Sequence, residues 1–437
     1  MQDIGVGSPS QSPSEAKAMD EDCLYLNVCS PASPSSPRPV VVWIHAGGFA
    51  THSGSYLIGD GSAFALACDV TVVSFNYRLG CLGFLPIDTI CRDAPLGVGN
   101  TGLLDQVAAL RWVRENISAF GGDPGRVTIM GCSSGGKSVG VLLGLGLAGD
   151  LFHTAISVSG GASTVYHYEE AADLAESFLS HLGLRHASFE TLQAVPVQVL
   201  IETQREIAQG TRATWIWRPV VDGVHVTRPP LEAIADGAAA NVPLLAGTTR
   251  HEGRFFALND PSCLDGVPLV LRELHGSGAQ TLLDAYIASH GGDVREALVA
   301  AMGDERYRIP TIRLAEAHAR FSPTWLYRFD WRSPALGSLG AAHGSDIPVV
   351  WNLKLTKADI PVVEAVQSAW GAFAHTGSPV SSRLPEWPSY NPATPKMMLL
   401  DQPACVVKSD TELDALWKSA RPVYPNWPSP AVAEEHI

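Results

Sequence analysis

Residues 126–136, RVTIMGCSSGG, decide the fold of this chain. The first five of them read as a short buried strand, and residues 137–147 return to the spacing of a helix. Between the two lies GCSSG (residues 131–135), a G-x-S-x-G sequence in the strand, turn and helix setting of a nucleophile elbow. Such a strained turn lifts the Ser133 hydroxyl above the sheet, and the glycines let strand and helix approach closely. The alternative is an ordinary turn serine, since turns rich in Gly and Ser are common.

Other segments repeat this alternation of strand and helix. Residues 39–45 (PVVVWIH) and 69–77 (DVTVVSFNY) are almost continuously apolar and β-branched, as are strands buried on both faces of a parallel sheet. The remaining predicted strands and helices are strands at 152–159, 242–247 and 325–331, and helices at 103–117, 169–183 and 279–289. This alternation predicts an α/β fold with a mostly parallel central sheet and helices on both faces.

The composition sets limits on organisation and partners. The chain has 437 residues, 46% hydrophobic and 17% charged, which supports a large core and excludes global disorder. We expect residues 1–18, rich in Ser, Pro and Gly, to be disordered or loop-like, and residues 19–437 to form a single domain. The net charge of −14 argues against nucleic acid as a partner.

Neither a membrane segment nor a leader is recognisable in the sequence. No apolar run reaches the length of about 18 residues that a spanning helix needs. The first residues lack the basic-then-apolar pattern of a secretory signal. The sequence as written therefore predicts a cytoplasmic protein without an integral membrane segment, and a secreted one if the true N-terminus is missing.

The eight cysteines are scattered and form no C-x-x-C pair or Cys/His cluster. We therefore expect mostly buried free thiols, with one disulfide still possible, and no metal site.

A hydroxyl nucleophile that attacks an acyl carbon creates an oxyanion, which needs hydrogen-bond donors fixed in advance. A second glycine-rich loop follows the strand at 39–45 and contains Gly47 and Gly48. Their backbone N–H groups, together with that of Ser134, are candidate donors. The alternative is a plain turn after a strand.

A catalytic serine also needs a histidine base and an orienting carboxylate, in the chain order serine, acid, histidine. His343 lies in a glycine-flanked loop, LGAAHGSDIPVVW, after a late strand. Glu252 follows the strand that ends near Gly247, where an α/β sheet presents its ligands. The pattern alone leaves both assignments open, because a loop histidine or glutamate is usually solvated.

Ten segments from residue 20 onward resemble, in order, the type-B carboxylesterase/lipase family, which includes the cholinesterases. They are EDCLYLNV (21–28), WIHAGGF (43–49), NYRLGCLGFL (76–85), GNTGLLDQVAALRWVRENISAFGGDP (99–124), GCSSGG (131–136), PVVDG (219–223), GTTRHEGRFF (247–256), HGSD (343–346), W-x-x-F-A-x-T-G-x-P (370–379) and WPSY (387–390).

This resemblance implies an α/β-hydrolase fold and a serine hydrolase that cleaves carboxylic esters through an acyl-enzyme, with no metal or organic cofactor. It implies Ser133 as nucleophile, Glu252 as acid and His343 as base. The oxyanion donors would be Gly47, Gly48 and Ser134.

The resemblance also implies four supporting residues. Arg78 and Asp105 would form an ion pair beneath the site, and Ser159 and Asp346 would help to hold the histidine and its acid. For the last two, the alternative is that they are ordinary polar loop residues.

The chain departs from the family pattern at several places. Cys132 stands where the family usually has Glu, Ser134 where it has Ala, and Ala46 where it has the middle glycine of HGGG. Relatives normally carry several tens of residues before EDCLYLN, so we expect the first strands of the sheet to be missing.

The substrate is predicted from a few aromatic residues. Phe49, Trp215, Trp217 and Phe256 are candidates for a pocket that takes small, neutral, hydrophobic esters, although aromatics are often core residues. Two other functions stay open: a catalytically silent cholinesterase-like interaction protein, and an acyltransferase or lactone hydrolase in a biosynthetic pathway.

Overall fold

The computed structural model describes residues 19–32, 37–56, 60–147, 149–207, 216–353, 355–409 and 412–418. The N-terminal segment 1–18, expected to be disordered or loop-like, lies outside the described residues, as does Trp215.

Eleven strands are found within the described residues. They are β1 Leu26–Cys29, β2 Arg38–Ile44, β3 Thr71–Phe75, β4 Gly122–Cys132, β5 Thr154–Val158, β6 Tyr166–His167, β7 Val220–Val221, β8 Leu244–Thr249, β9 Thr324–Phe329, β10 Lys396–Leu400 and β11 Cys405–Lys408. Nine of them form one sheet in the order β1-β3-β2-β4-β5-β8-β9-β10-β11, while β6 and β7 pair separately. The strands from β3 to β10 run parallel, and β1 and β11 are antiparallel additions at the two edges. The mostly parallel sheet predicted from the sequence is confirmed.

The α-helices of the described residues connect these strands or follow the last of them. They are α1 Ser62–Cys68, α2 Gly80–Phe84, α3 Thr101–Asn116, α4 Ser134–Gly144, α5 Tyr168–His181, α6 Phe189–Gln193, α7 Val197–Ile207, α8 Pro230–Ala235, α9 Glu252–Asn259, α10 Val267–His275, α11 Ala279–Ser289, α12 Val294–Gly303, α13 Ile309–His318, α14 Ile347–Trp351, α15 Ile360–Thr376 and α16 Glu412–Trp417. A π-helix, Asp304–Arg308, joins α12 to α13. None of the helices in the described ranges is long and apolar enough to cross a membrane.

Strand β2 explains why the sheet is covered on both faces. Its apolar residues alternate between two hydrophobic clusters, with Val40, Val42 and Ile44 in one and Val41 and Trp43 in the other. All five are fully buried. A strand with both faces buried has a continuous apolar sequence. Its residues therefore do not alternate between apolar and polar, although they point to opposite faces of the sheet.

The main difference from the sequence-based expectation concerns β4. This strand begins at Gly122, four residues before the start predicted at Arg126, because Arg38 of β2 pairs with Gly122 and the register then shifts before Val40. The reversal itself is made by Gly121, whose φ is 79°. Strands β1, β10 and β11 were not predicted, since each is only four or five residues long.

The turn between β4 and α4 depends on a very close backbone approach. A Cβ atom on Gly135 would lie 2.0 Å from the carbonyl oxygen of Ile44, and one on Gly131 would lie 2.4 Å from the carbonyl carbon of Gly135. Both clashes involve backbone atoms, which cannot rotate away. Glycine is therefore required here for packing as well as for the turn.

We expect Gly135→Ala to destabilise the protein by about 2 kcal/mol or more, because the added methyl group forces strand and helix apart. Gly278→Ala is the matched control: Gly278 has a φ of −79° and its Cβ would meet only the His275 Cβ, at 3.9 Å. The control should be neutral or stabilising by about 0.5 kcal/mol. Urea denaturation of both variants measures the difference, and equal stabilities would contradict the close-approach argument.

Candidate functional site

Ser133 lies at the end of β4 and immediately precedes α4. Its backbone has φ 57° and ψ −120°, a conformation that residues with a side chain rarely adopt. The turn is held by two hydrogen bonds, from Ser133 N to the Val158 carbonyl and from Lys137 N to the Ser133 carbonyl, both 2.9 Å. Its residue exposure is only 6%, so the hydroxyl has little contact with solvent.

Glu252 and His343, which are 91 residues apart, meet beside the carboxyl end of β8. Glu252 is the first residue of α9, directly after β8, and His343 lies in the loop before α14. The His343 Nδ1 lies 2.6 Å from Glu252 Oε2. A backbone hydrogen bond of 2.9 Å from His251 N to the Ala341 carbonyl ties the two loops together. Because the carboxylate accepts from Nδ1, this ring nitrogen carries the proton and Nε2 is left as the acceptor.

The other Glu252 oxygen is also occupied. Oε1 accepts hydrogen bonds from the Ser159 hydroxyl at 2.6 Å and from the Thr249 N–H at 2.7 Å. With His343 this makes three donors for a carboxylate that is almost fully buried. Fixed donors of this kind favour the ionised form of a carboxylate and lock its rotamer.

Tyr307 packs against this pair. Its ring stacks on the His343 imidazole, with centroids 4.2 Å apart and planes 26° apart. Nothing in the sequence pointed to Tyr307, because it lies in the π-helix, which has no periodic signal of its own.

Further aromatic rings surround the imidazole. Phe256 and Phe255 lie with ring centroids 5.3 and 6.2 Å from His343. Of the other pocket candidates, Phe49 is fully buried and packs on Phe84 at 5.0 Å, and Trp217 is fully buried against Phe178 at 6.0 Å. The fourth candidate, at position 215, is outside the described residues, so only Phe256 is brought into contact with His343.

The loop after β2 has the conformation needed to present backbone donors. Gly47 has φ 119° and Gly48 has φ 61°. A Cβ on Gly47 would lie 2.2 Å from the Thr51 carbonyl oxygen, so only glycine fits. Within the described ranges, the N–H groups of Gly47, Gly48 and Ser134 donate to no acceptor. These groups are therefore available to a ligand.

A second carboxylate lies close to Glu252. Asp346 is fully buried, and its pKa is raised from 3.8 to about 7 by burial and by the charge of Glu252. Its Oδ2 is 3.4 Å from the Tyr327 hydroxyl, whereas its Oδ1 has no hydrogen-bond partner in the described part of the chain. Burial and the two carboxylates also hold the pKa of the Cys132 thiol well above 9, so it stays neutral. Ser159 thus contacts Glu252 directly, whereas Asp346 is affected by the charge of Glu252.

Lys137 is the other buried group that sequence reasoning missed. It lies in the first turns of α4, and its Nζ donates to the Arg306 carbonyl at 2.8 Å and to the Gly160 carbonyl at 3.4 Å. Burial lowers its pKa from 10.5 to about 7.

Beneath the site, the ion pair predicted between Arg78 and Asp105 is confirmed. The guanidinium donates from both Nε and Nη2 at 2.8 Å, and the Arg78 backbone N–H adds a third hydrogen bond at 3.0 Å. The eight cysteines all lie within the described residues, and all are free thiols.

Comparison with known proteins identifies the family of this chain. The model of the family described as "Carboxylesterase family" matches residues 1–417. The chain is 38% identical over 419 residues to the para-nitrobenzyl esterase of Bacillus subtilis (strain 168), covering 92% of this chain and 83% of that protein. It is 34% identical to the liver carboxylesterase of Sus scrofa, covering 85% and 72%.

Solved structures give the same result. A structure titled PNB esterase superimposes with a TM-score of 0.81 at 36% identity, covering 94% of this chain and 87% of that one. A carboxylesterase structure from Geobacillus stearothermophilus superimposes with a TM-score of 0.80 at 33% identity, covering 95% and 88%. The chain therefore belongs to the carboxylesterase family, whose members are carboxylic ester hydrolases with the α/β-hydrolase fold.

Proposed function

We propose that this chain cleaves carboxylic esters through an acyl-enzyme, with Ser133 as nucleophile, His343 as base and Glu252 as acid. The observation that carries the proposal is the 2.6 Å contact between His343 and Glu252, on a histidine whose ring stacks on Tyr307. Val158 accepts a hydrogen bond from the Ser133 N–H, and the next residue, Ser159, donates to Glu252. The nucleophile and the acid thus meet at the end of one strand, which supports a single reaction centre.

Acylation begins when His343 Nε2 takes the Ser133 proton while the Oγ forms a bond to the acyl carbon. The acyl oxygen becomes an oxyanion and accepts hydrogen bonds from the N–H groups of Gly47, Gly48 and Ser134. Glu252 stabilises the imidazolium that has formed. The imidazolium then gives its proton to the alcohol oxygen as the bond between carbon and that oxygen breaks.

Deacylation repeats these steps with water. His343 removes a proton from the water as its oxygen attacks the acyl-enzyme, and the same donors hold the second oxyanion. The imidazolium returns the proton to the Ser133 oxygen, and the carboxylic acid leaves.

Replacing the nucleophile tests the proposal most directly. Ser133→Ala should lower kcat by at least about 10³-fold, because no acyl-enzyme can form. A fluorophosphonate probe followed by peptide mass spectrometry should place one adduct on Ser133 in the wild-type protein and none in the variant. Ser118→Ala, at an exposed serine, is the control and should behave as wild type. An adduct on another serine, or undiminished activity of Ser133→Ala, would refute the assignment.

We further propose that Ser159 and Asp346 support the acid in different ways. Ser159 fixes the Glu252 carboxylate by a hydrogen bond of 2.6 Å. Asp346, whose pKa is raised to about 7, is largely protonated at mildly acidic pH, so it adds little negative charge beside Glu252 there. Above that pH its ionisation places a second buried anion beside the first.

The raised pKa of Asp346 predicts a pH-dependent stability. A carboxyl group whose folded pKa exceeds its unfolded pKa stabilises fully below the unfolded value, and this contribution is lost as the pH rises from about 4 to about 7. Asp346→Asn is neutral at every pH, so between pH 5 and pH 8 its free energy of unfolding should rise relative to wild type by about 2 kcal/mol. Urea denaturation at both pH values measures this. The exposed Asp284→Asn is the control, and a constant difference between Asp346→Asn and wild type would disprove it.

For the substrate, we propose small, neutral, hydrophobic esters. The aromatic rings of Phe255, Phe256 and Tyr307 beside His343 support this class, because an acyl chain packs well on them whereas a charge would lose its hydration. The net charge of −14 likewise disfavours nucleic acid as a partner.

This substrate class predicts a preference between two esters of similar length. The kcat/KM for 4-nitrophenyl pentanoate should exceed that for 4-nitrophenyl hemisuccinate by at least about tenfold, since the terminal carboxylate of the latter must be desolvated. Ser133→Ala supplies the rate of enzyme-independent hydrolysis. Equal rates, or faster cleavage of the hemisuccinate, would overturn the substrate class while leaving the triad in place.

The state of the cysteines bears on the compartment. All eight cysteines are free thiols, and disulfides are rare in reducing compartments. We therefore propose that the protein works in the cytoplasm.

A further inference from the structure

The π-helix Asp304–Arg308 brings three successive residues into the interior beside the proposed triad. Glu305, Arg306 and Tyr307 are 9%, 3% and 0% exposed. A π-helical turn within a helix is rare and is frequently found at functional sites.

Tyr307 is the member of this segment that reaches the proposed base. Its ring covers one face of the His343 imidazole, with centroids 4.2 Å apart. Phe256 stacks on Tyr307 at 5.9 Å with planes 15° apart and also approaches His343 at 5.3 Å. The imidazole is therefore confined by rings, and the phenol ring cannot turn without displacing one of them.

Lys137 fixes Tyr307 from the other side. It lies four residues after Ser133 on α4, and its Nζ donates to the carbonyl of Arg306, the residue before Tyr307, at 2.8 Å. The same Nζ lies 5.2 Å from the centroid of the Tyr307 ring and donates to the Gly160 carbonyl at 3.4 Å. Glu305 and Glu252 are the carboxylates that favour its charged form, while Arg306 and Arg218 oppose it. One side chain thus connects the nucleophile's helix, the π-helix and the loop after β5.

We propose that Tyr307 is a positioning residue whose ring fixes the orientation of the His343 imidazole, and that Lys137 is a second positioning residue that holds Tyr307 in place. This inference rests on the proposed function and adds two residues to the same site. No covalent bond to Tyr307 forms or breaks during the reaction.

The buried environment suits this role. Burial raises the pKa of Tyr307 well above 10, so the phenol stays neutral beside the imidazole. A neutral ring held in place before the reaction costs no reorganisation when the serine attacks.

Two substitutions at Tyr307 separate its ring from its hydroxyl. Tyr307→Leu should lower kcat about tenfold with KM unchanged, because the imidazole loses its stacking partner. Tyr307→Phe keeps the ring on His343 and should stay within about twofold of the wild-type kcat. The rate of fluorophosphonate labelling should change by the same factors. Tyr168→Phe, which removes a hydroxyl bonded to the Asp88 carbonyl at 2.9 Å, is the matched control and should keep the wild-type rate.

Lys137 is tested through its coupling to Tyr307. Lys137→Met should lower kcat about tenfold in the wild-type background but have no further effect in the Tyr307→Leu background, since the ring it holds is then absent. Lys137→Arg keeps the positive charge and the donors and should recover part of the activity. All rates are normalised to active sites titrated with the probe, so a partly unfolded variant still gives a valid value.

The outcomes distinguish this inference from the proposed function. If Ser133→Ala is inactive while Tyr307→Leu matches wild type in kcat and labelling rate, the role of Tyr307 is refuted and the triad stands. A loss of kcat in Tyr307→Phe as large as that in Tyr307→Leu would equally refute the positioning role of the ring. Additive effects of Lys137→Met and Tyr307→Leu would refute the positioning role of Lys137. If Ser133→Ala stays active, the proposed function itself fails.

Discussion

The site depends on one backbone constraint, the conformation of Ser133 at φ 57° and ψ −120°. Holding a residue with a side chain there costs free energy, of the order of 1–3 kcal/mol, which the surrounding structure must supply. It does so through the close contact of β4, α4 and the end of β2, where Gly135 would clash with the Ile44 carbonyl if it carried a Cβ. The hydrogen bond from Ser133 N to Val158 ties the same turn to β5. The packing at the centre of the sheet thus holds the Ser133 hydroxyl group in a fixed position.

The two buried carboxyl groups near this turn, those of Glu252 and Asp346, receive different numbers of hydrogen bonds. Glu252 has three donors, from Ser159, Thr249 and His343, and such donors stabilise a carboxylate anion in a low dielectric. Asp346 has only the long contact from Tyr327 and stands near that anion, so its pKa rises. The supply of hydrogen bonds thus distinguishes two neighbouring carboxyl groups of similar chemistry. The thiol of Cys132 is held neutral by burial and by the charges of both carboxylates.

The fold class and the elbow could be predicted from the sequence. Strand β2 and the elbow were recognisable because a doubly buried strand leaves a continuous apolar run, and because G-x-S-x-G was followed by helical spacing. Glu252 and His343 were candidates from their positions after late strands, and the family resemblance singled them out from the other loop acids and histidines. The start of β4 at Gly122 was not predictable, since it depends on a register shift against Arg38. Trp217 was indistinguishable from a pocket residue until its packing on Phe178 was known.

What the sequence determined by itself is local: the periodicity of strands and helices, the glycines of the two tight turns, and the identity of a nucleophile placed between a strand and a helix. What only the tertiary structure decided is which distant groups meet around that nucleophile. Lys137 and Arg306 are 169 residues apart, and Tyr307 reaches His343 from a π-helix that no sequence pattern predicts. The physical reason is that such contacts are fixed by strand order, register and the packing of one helix against another. Strand order, register and helix packing are set by the sum of many weak apolar contacts across the whole core. No single stretch of residues determines them.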